Sequence, residues 1–213
     1  MHEALRYFIE KVVTHYSIEK YYDELLKAKE FYFKKTGEAD EDDPNFESRM
    51  SSFNDWYVLE YKPEGSENTL IQQYIKEHNV VEDLVSAVGS FEHSIYEFKG
   101  KSFGGRLILK DLLNENKIKL AVDHSALALV KGDLFLGRVA SYGNEVYMFN
   151  GLCLLPRSAK KLFKKQAKRV RKSEEESAKL DFLYLTEALK TKWLSYGHVN
   201  VEKIFVYDDF MKS

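Results

Sequence analysis

The spacing of apolar side chains divides the chain into three stretches. From residue 4 to 16, Leu5, Phe8, Ile9, Val12, Val13 and Tyr16 recur every three or four positions, the repeat of one helical face. The same repeat over 18–35 gathers Ile18, Tyr21, Tyr22, Leu25, Leu26, Ala28, Phe31 and Tyr32, with Gly37 placed to end that helix. The segment 45–61 sets Phe46, Met50, Phe53 and Tyr57 on one helical face beside Trp56. Its Trp-Tyr-Val-Leu run also suits a strand, so periodicity leaves both readings open. Pro63 and Gly65 mark a turn, and two short helices over about 69–78 and 81–91 complete a helical first region.

Near His93 the period shortens. Runs at 94–99, 106–113, 117–124, 126–130, 133–141 and 145–154 are rich in Val, Ile, Leu, Tyr and Phe. Gly104-Gly105, Asn114 to Asn116, Gly132-Asp133 and Gly143-Asn144 separate them. Short strands between such turn residues predict an antiparallel meander, most economically closed as a small barrel. After Pro156 the helical repeat returns, capped by Ser158 and running to about 172 on a sparse face of Leu162, Phe163, Ala167 and Val170. A further helix starts at Ser173 with Glu174, Glu175 and Glu176 in its first turn, as the helix dipole favours, and ends before Gly197. The tail 199–210 suits either an added strand or a short helix. The fold expected is α+β: a helical region 1–93, an antiparallel sheet or small barrel 94–156, and C-terminal helices 157–213. The helices should pack on the rest as one cooperative unit, because short strands alone bury too little apolar area.

Composition narrows the class. A chain of 213 residues suits one domain or two small ones, and 44% hydrophobic with 31% charged residues excludes wholesale disorder. Cys153 is the single cysteine, which rules out an internal disulfide and a Cys-rich zinc site. No stretch approaches the ~18 uncharged apolar residues of a membrane span. Glu3, Arg6 and Glu10 interrupt the apolar start that a secretory signal needs. A cytoplasmic protein without membrane contact is expected, and the lone cysteine agrees with a reducing compartment.

The net charge of −2 conceals an asymmetry. Residues 1–93 carry 20 acidic and 10 basic side chains, whereas residues 94–213 carry 14 acidic and 22 basic. The basic excess is concentrated in Arg157, Lys160, Lys161, Lys164, Lys165, Lys168, Arg169, Arg171 and Lys172, with no acid between them. On a helix these cations could meet successive phosphates, each contact releasing counterion. They could equally form a solvated helix that balances the acidic half of the chain. An anionic partner, either nucleic acid or an acidic protein surface, is therefore a candidate. Small OB-type barrels stack bases on strand aromatics beside a basic groove, and Tyr96, Phe98, Phe103, Phe135, Tyr142, Tyr147 and Phe149 could supply such rings. Alternating strand aromatics more often face a core.

Other chemistry is thin. Asp123-His124-Ser125 cannot form a triad as neighbours, since adjacent strand residues point to opposite faces. The six histidines show no ligand spacing, and Cys153 lies in an apolar run that suits an inert thiol. Asp40, Glu41, Asp42 and Asp43 lack the alternation of a calcium loop, and Gly104-Gly105 reads as a hairpin turn. No catalytic motif, metal site or cofactor is expected.

Several local strings resemble a known group. Phe53-Asn54-Asp55-Trp56-Tyr57, the Thr69-led helix, Ser94-Ile95-Tyr96-Glu97, Leu109-Lys110-Asp111-Leu112-Leu113 and the run from Lys131 to Val139 are similar to bacterial proteins of unassigned function. Those proteins often carry a SEC-C zinc-binding tail, which one cysteine cannot build here. The resemblance spans about residues 45–157 and implies helices with a small barrel in a bacterial cytoplasmic protein, with no activity. Together these readings suggest a non-enzymatic binding protein of unknown partner. Nucleic-acid binding through the basic helix 157–172 is one alternative, and an enzyme whose site is invisible in sequence is another.

Overall fold

The computed structural model describes residues 1–122, 128–173, 175 and 177–207. Its first region holds α1 (Glu3–His15), α2 (Tyr22–Thr36), α3 (Phe46–Leu59), α4 (Leu70–Glu77) and α5 (Glu82–Gly89). The His2 ring accepts a hydrogen bond from the Ala4 amide at 3.2 Å to cap α1, whose Leu5, Phe8, Ile9 and Val12 are buried. The acidic run before α3 is an exposed turn, in which the Asp43 carboxylate accepts from the Asn45 amide at 2.7 Å. Helix α3 resolves the ambiguity of its Trp-Tyr-Val-Leu run. Phe53, Asp55, Trp56, Tyr57, Val58 and Leu59 are all buried because α1, α2, α4 and the sheet surround this helix.

The sheet comprises β1 (Glu92–Lys101), β2 (Leu107–Asp111), β3 (Lys117–Lys119), β4 (Leu134–Tyr142), β5 (Glu145–Met148) and β6 (Cys153–Leu155). Its order is β3-β2-β1-β4-β5, with β6 paired to the first half of β4. Strands β1 to β4 thus follow the spatial order of a Greek key. The sheet curls until Leu120, just beyond β3, meets Val146 of β5 in one parallel bridge. The result is a curled, partly open antiparallel half-barrel. The predicted run at 145–154 divides into β5 and β6, because the chain turns at Asn150 and Gly151 to lie on α3. The expected strand at 126–130 lies partly outside the described residues, and 128–130 has no regular structure.

Beyond the sheet come α6 (Lys160–Val170), α7 (Ser177–Ser195) and α8 (Val201–Ile204). Ser158 falls inside a 3-10 turn, Arg157–Ala159, rather than capping α6. The tail forms the short α8, while residues 208–213 lie outside the description. Three apolar clusters meet at β4: Ala140 joins the cluster of α1–α5, Leu134 and Leu136 join that of the C-terminal helices, and Phe135 and Val139 line the barrel interior. Helix α7 is also tied to the first region. The Tyr32 hydroxyl donates to Glu187, and the Trp56 indole donates to the Tyr184 hydroxyl at 2.6 Å. Trp56 is buried, whereas Trp193 packs half-buried on the C-terminal cluster.

Gly151 marks the closest approach of sheet and helix. Its amide donates to Asp55 Oδ2 at 2.6 Å, and an added Cβ would lie 2.6 Å from the Ser52 Cα. Gly151→Ala should therefore destabilise the protein by about 1–3 kcal/mol in urea titrations. Gly104→Ala, whose Cβ would meet nothing within 4 Å, should leave stability unchanged. Equal midpoints for the two variants would contradict this packing.

Candidate functional site

Helix α6 sorts its residues into three stripes. Phe163, Gln166, Ala167 and Val170 are buried against the core. A second stripe faces the sheet: Lys160 and Lys164 reach Glu97 at 2.8 and 2.7 Å, joined by Lys99 of β1 at 3.2 Å. Burial would raise the Glu97 pKa, but hydrogen bonds from Lys160, Lys164 and Lys99 hold it down at about 2. At the two ends, Arg157 pairs with Asp133 at 2.5 Å and Arg171 with Glu115 at 2.9 Å. The acids that this helix neutralises thus belong to the sheet region, and none of these pairs reaches the acidic first half. Arg169 donates to Gln166 Oε1 at 3.1 Å.

The third stripe is different. Lys161, Lys165, Lys168 and Lys172 follow one another at i, i+4, i+7 and i+11, which aligns them on one side of the helix and the turn that follows it. All four are exposed, and none forms an ion pair with a described residue.

The sheet carries lysines of its own. On the outer face of the barrel, the register sets Glu97 beside Lys110 and Lys110 beside Lys117. One row nearer the β1–β2 turn, Gly100 faces Ile108 and Ile108 faces Lys119. Glu97 is the acid in these two rows, and three lysines already claim it. The strand lysines were not singled out in the sequence. Their signal was the two-residue spacing of Lys117 and Lys119, which places both on one face of a strand.

Most of the candidate aromatics are core. Tyr96, Phe98, Phe135, Tyr147 and Phe149 are buried and Tyr142 is half-buried. Phe103 alone of the seven is fully exposed, at the tip of the β1–β2 turn, where Gly105 takes a φ of +79°. In that turn the Ser102 amide donates to the Arg106 carbonyl at 2.8 Å.

The densest cluster of titratable groups is internal. Arg138 Nε lies 2.5 Å from Glu60 Oε1, and His93 Nδ1 lies 3.1 Å from the same oxygen. Arg138 and His93 are cross-strand neighbours on β4 and β1. Burial opposes ionisation of Glu60, but the charge of Arg138, followed by the charge and hydrogen bond of His93, brings its pKa down to about 2. Burial and then Arg138 lower the pKa of His93, which therefore donates to Glu60 as a neutral imidazole. Asp55 completes the group, with a pKa raised to about 6 by burial in spite of Arg138 and the Gly151 amide. These side chains are a tenth exposed or less, so the cluster joins α3 to the sheet and offers no open reaction site.

The remaining candidates carry less. Asp123, His124 and Ser125 lie outside the described residues. Burial, with Glu187 nearby, pushes the half-buried Cys153 thiol up to about 12, so it stays protonated. Among the described residues no group of three or more His, Cys, Asp or Glu side chains could hold a metal ion. Among the same residues no helix is long and apolar enough to cross a membrane. Comparison of the chain with family models, curated proteins and solved structures gives no match in any of the three. The resemblance to the group with the SEC-C tail therefore rests on the quoted strings alone.

The internal cluster predicts a pH signature. The folded pKa of Asp55 exceeds that of the unfolded chain, so the native state holds an extra proton between about pH 4 and 6. This group's contribution to stability falls as pH rises through that window, by about 3 kcal/mol in total. Asp55→Asn removes the titration. The stability of the variant relative to wild type should climb across the window, and parallel pH profiles would overturn the assignment.

Proposed function

We propose that the protein is a non-enzymatic nucleic-acid-binding protein, whose contact surface is the outer stripe of α6 together with the outer face of β1–β3. The observation that carries this reading is the line of Lys161, Lys165, Lys168 and Lys172. The inner stripe and the two end arginines serve the sheet acids, whereas the outer lysines have no ion pair with a described residue. Like charges at i,i+4 each weaken a helix by about 0.2–0.5 kcal/mol, and no acid on α6 relieves them. A helix kept only for stability would not accumulate that repulsion, whereas a polyphosphate backbone would remove it.

The barrel supports a single strand as the form bound. Lys110, Lys117 and Lys119 share one face with the Glu97 site, and the β1–β2 turn at the end of that face presents Phe103 to solvent. An exposed ring beside phosphate-binding lysines suits stacking on an unpaired base, which is worth about 1–3 kcal/mol per base.

The test uses fluorescence anisotropy with single-stranded oligonucleotides of about 16 nucleotides. Wild type should bind with an affinity that falls steeply between about 50 and 200 mM salt. Replacing Lys161, Lys165, Lys168 and Lys172 with Gln should lower the log–log salt slope by about 3, at about 0.7 per phosphate contact on a single strand. Phe103→Ala should weaken binding and leave that slope unchanged. Wild type that shows no binding at about 50 mM salt overturns the nucleic-acid reading.

A further inference from the structure

A second site lies elsewhere, where α3, β6 and α7 leave a cavity of about 370 Å³. That volume falls within the ~300–1,000 Å³ of small-molecule sites. The walls are apolar, formed by Leu129, Leu152, Leu154 and Leu194. Leu154 and Leu194 are 51% and 36% exposed, so the cavity meets solvent at these leucines and at the exposed Ser48, whose hydroxyl donates to the Leu152 carbonyl at 2.7 Å.

The charged groups in the cavity are Arg49, Glu187 and Lys190. Two of them have internal partners. Arg49 donates to the Thr36, Gly37 and Glu38 carbonyls at the end of α2, which leaves only its buried Nε unpartnered. Glu187 accepts the Tyr32 hydroxyl at 2.9 and 3.0 Å on its two oxygens, so its hydrogen-bonding capacity is directed into the core. Asp43 also acts on Lys190 through space; hydrogen bonds from the Asn45 amide and side chain lower its pKa and keep it charged, but it makes no direct ion pair with Lys190. Lys190 has no hydrogen bond or ion pair with a described residue, and its ammonium lies 5.8 Å from the Trp193 ring centroid. Partial burial of the side chain pulls its pKa down, against the nearby Cys153, Asp43 and Glu187, which raise it. The lining therefore holds two cations against one carboxylate, with Asp43 outside it as a further acid that acts on both cations.

We propose that this cavity binds a small amphipathic monoanion, a carboxylate with a medium-length apolar tail, whose head pairs with Lys190 while the tail lies along Leu129, Leu152 and Leu154. The head provides the counter-ion that the fold withholds from Lys190. An apolar molecule would leave the ammonium desolvated and unpaired, and a cation would meet Arg49 and Lys190. A highly charged head would exceed the single charge to be matched.

Octanoate is the probe, followed by calorimetry and by the thermal midpoint of the whole protein. Wild type should bind octanoate with a dissociation constant below about 1 mM and gain thermal stability with concentration. Acetate, which lacks the tail, should do neither. Lys190→Met keeps the volume and removes the charge, and should weaken octanoate by about tenfold or more, the size of a charge-assisted hydrogen bond. Lys190→Arg should restore it. If Lys190→Met fails to fold, Leu152→Trp, which fills the cavity from its apolar side, should abolish binding with Lys190 intact. Absence of binding by wild type, or undiminished binding by folded Lys190→Met, overturns the proposal. Loss of nucleic-acid binding on its own leaves this result unchanged, since the lysines of α6 take no part in it.

Discussion

A guanidinium withdrawn from water needs a carboxylate beside it and hydrogen bonds around it, or the fold that buries it is lost. Arg138 imposes that requirement at the centre of this protein. It projects from β4, the strand that serves all three apolar clusters, and its side chain is 2% exposed. Glu60 must then stand at the end of α3 with its carboxylate toward β4, and Asp55 must lie about a turn and a half earlier on the same helix. His93, the cross-strand neighbour of Arg138, satisfies Glu60 without adding a further charge. The orientation of α3 on the sheet follows from these demands together with its buried apolar residues, while Glu47 and Ser48 remain exposed. The close seat of Gly151 on Ser52 follows in turn.

Much of the fold was legible because period and turn chemistry are local. The helices α1, α2 and α6 announce themselves by stripes, and the sheet by short runs between glycine and asparagine turns. What was not legible depended on partners far away in sequence. The run ending in Leu59 carries no stripe, since a helix enclosed on every side loses its polar face. The run from 145 to 154 reads as one strand until the demand of Asp55 for a backbone donor bends it at Gly151. The Arg138–Glu60 pair spans 78 positions, and nothing local marks either member.

The basic segment was legible as charge but not as function. Nine cations without an acid suggest one continuous surface, yet the structure divides them by where their counter-ions lie. Arg157, Lys160, Lys164 and Arg171 are spent on Asp133, Glu97 and Glu115, side chains 24 to 67 positions away. No spacing rule within the segment separates those residues from Lys161, Lys165, Lys168 and Lys172. The pocket beside Lys190 was invisible for a related reason, because its walls come from α3, β6, α7 and the stretch at Ala128 and Leu129, which lie far apart in sequence.

The parallel bridge between Leu120 and Val146 has a consequence for the edges of the sheet. An open sheet presents two rows of unpaired amides and carbonyls, each a template on which a second molecule can add a strand. Here the outermost strands are three and four residues long, and β3 carries lysine at both of its ends. As the sheet curls, its own margins satisfy one another, and what remains is too short and too cationic for another chain to zip onto. The curvature that shapes the outer face therefore also leaves little free strand margin on which a second chain could pair.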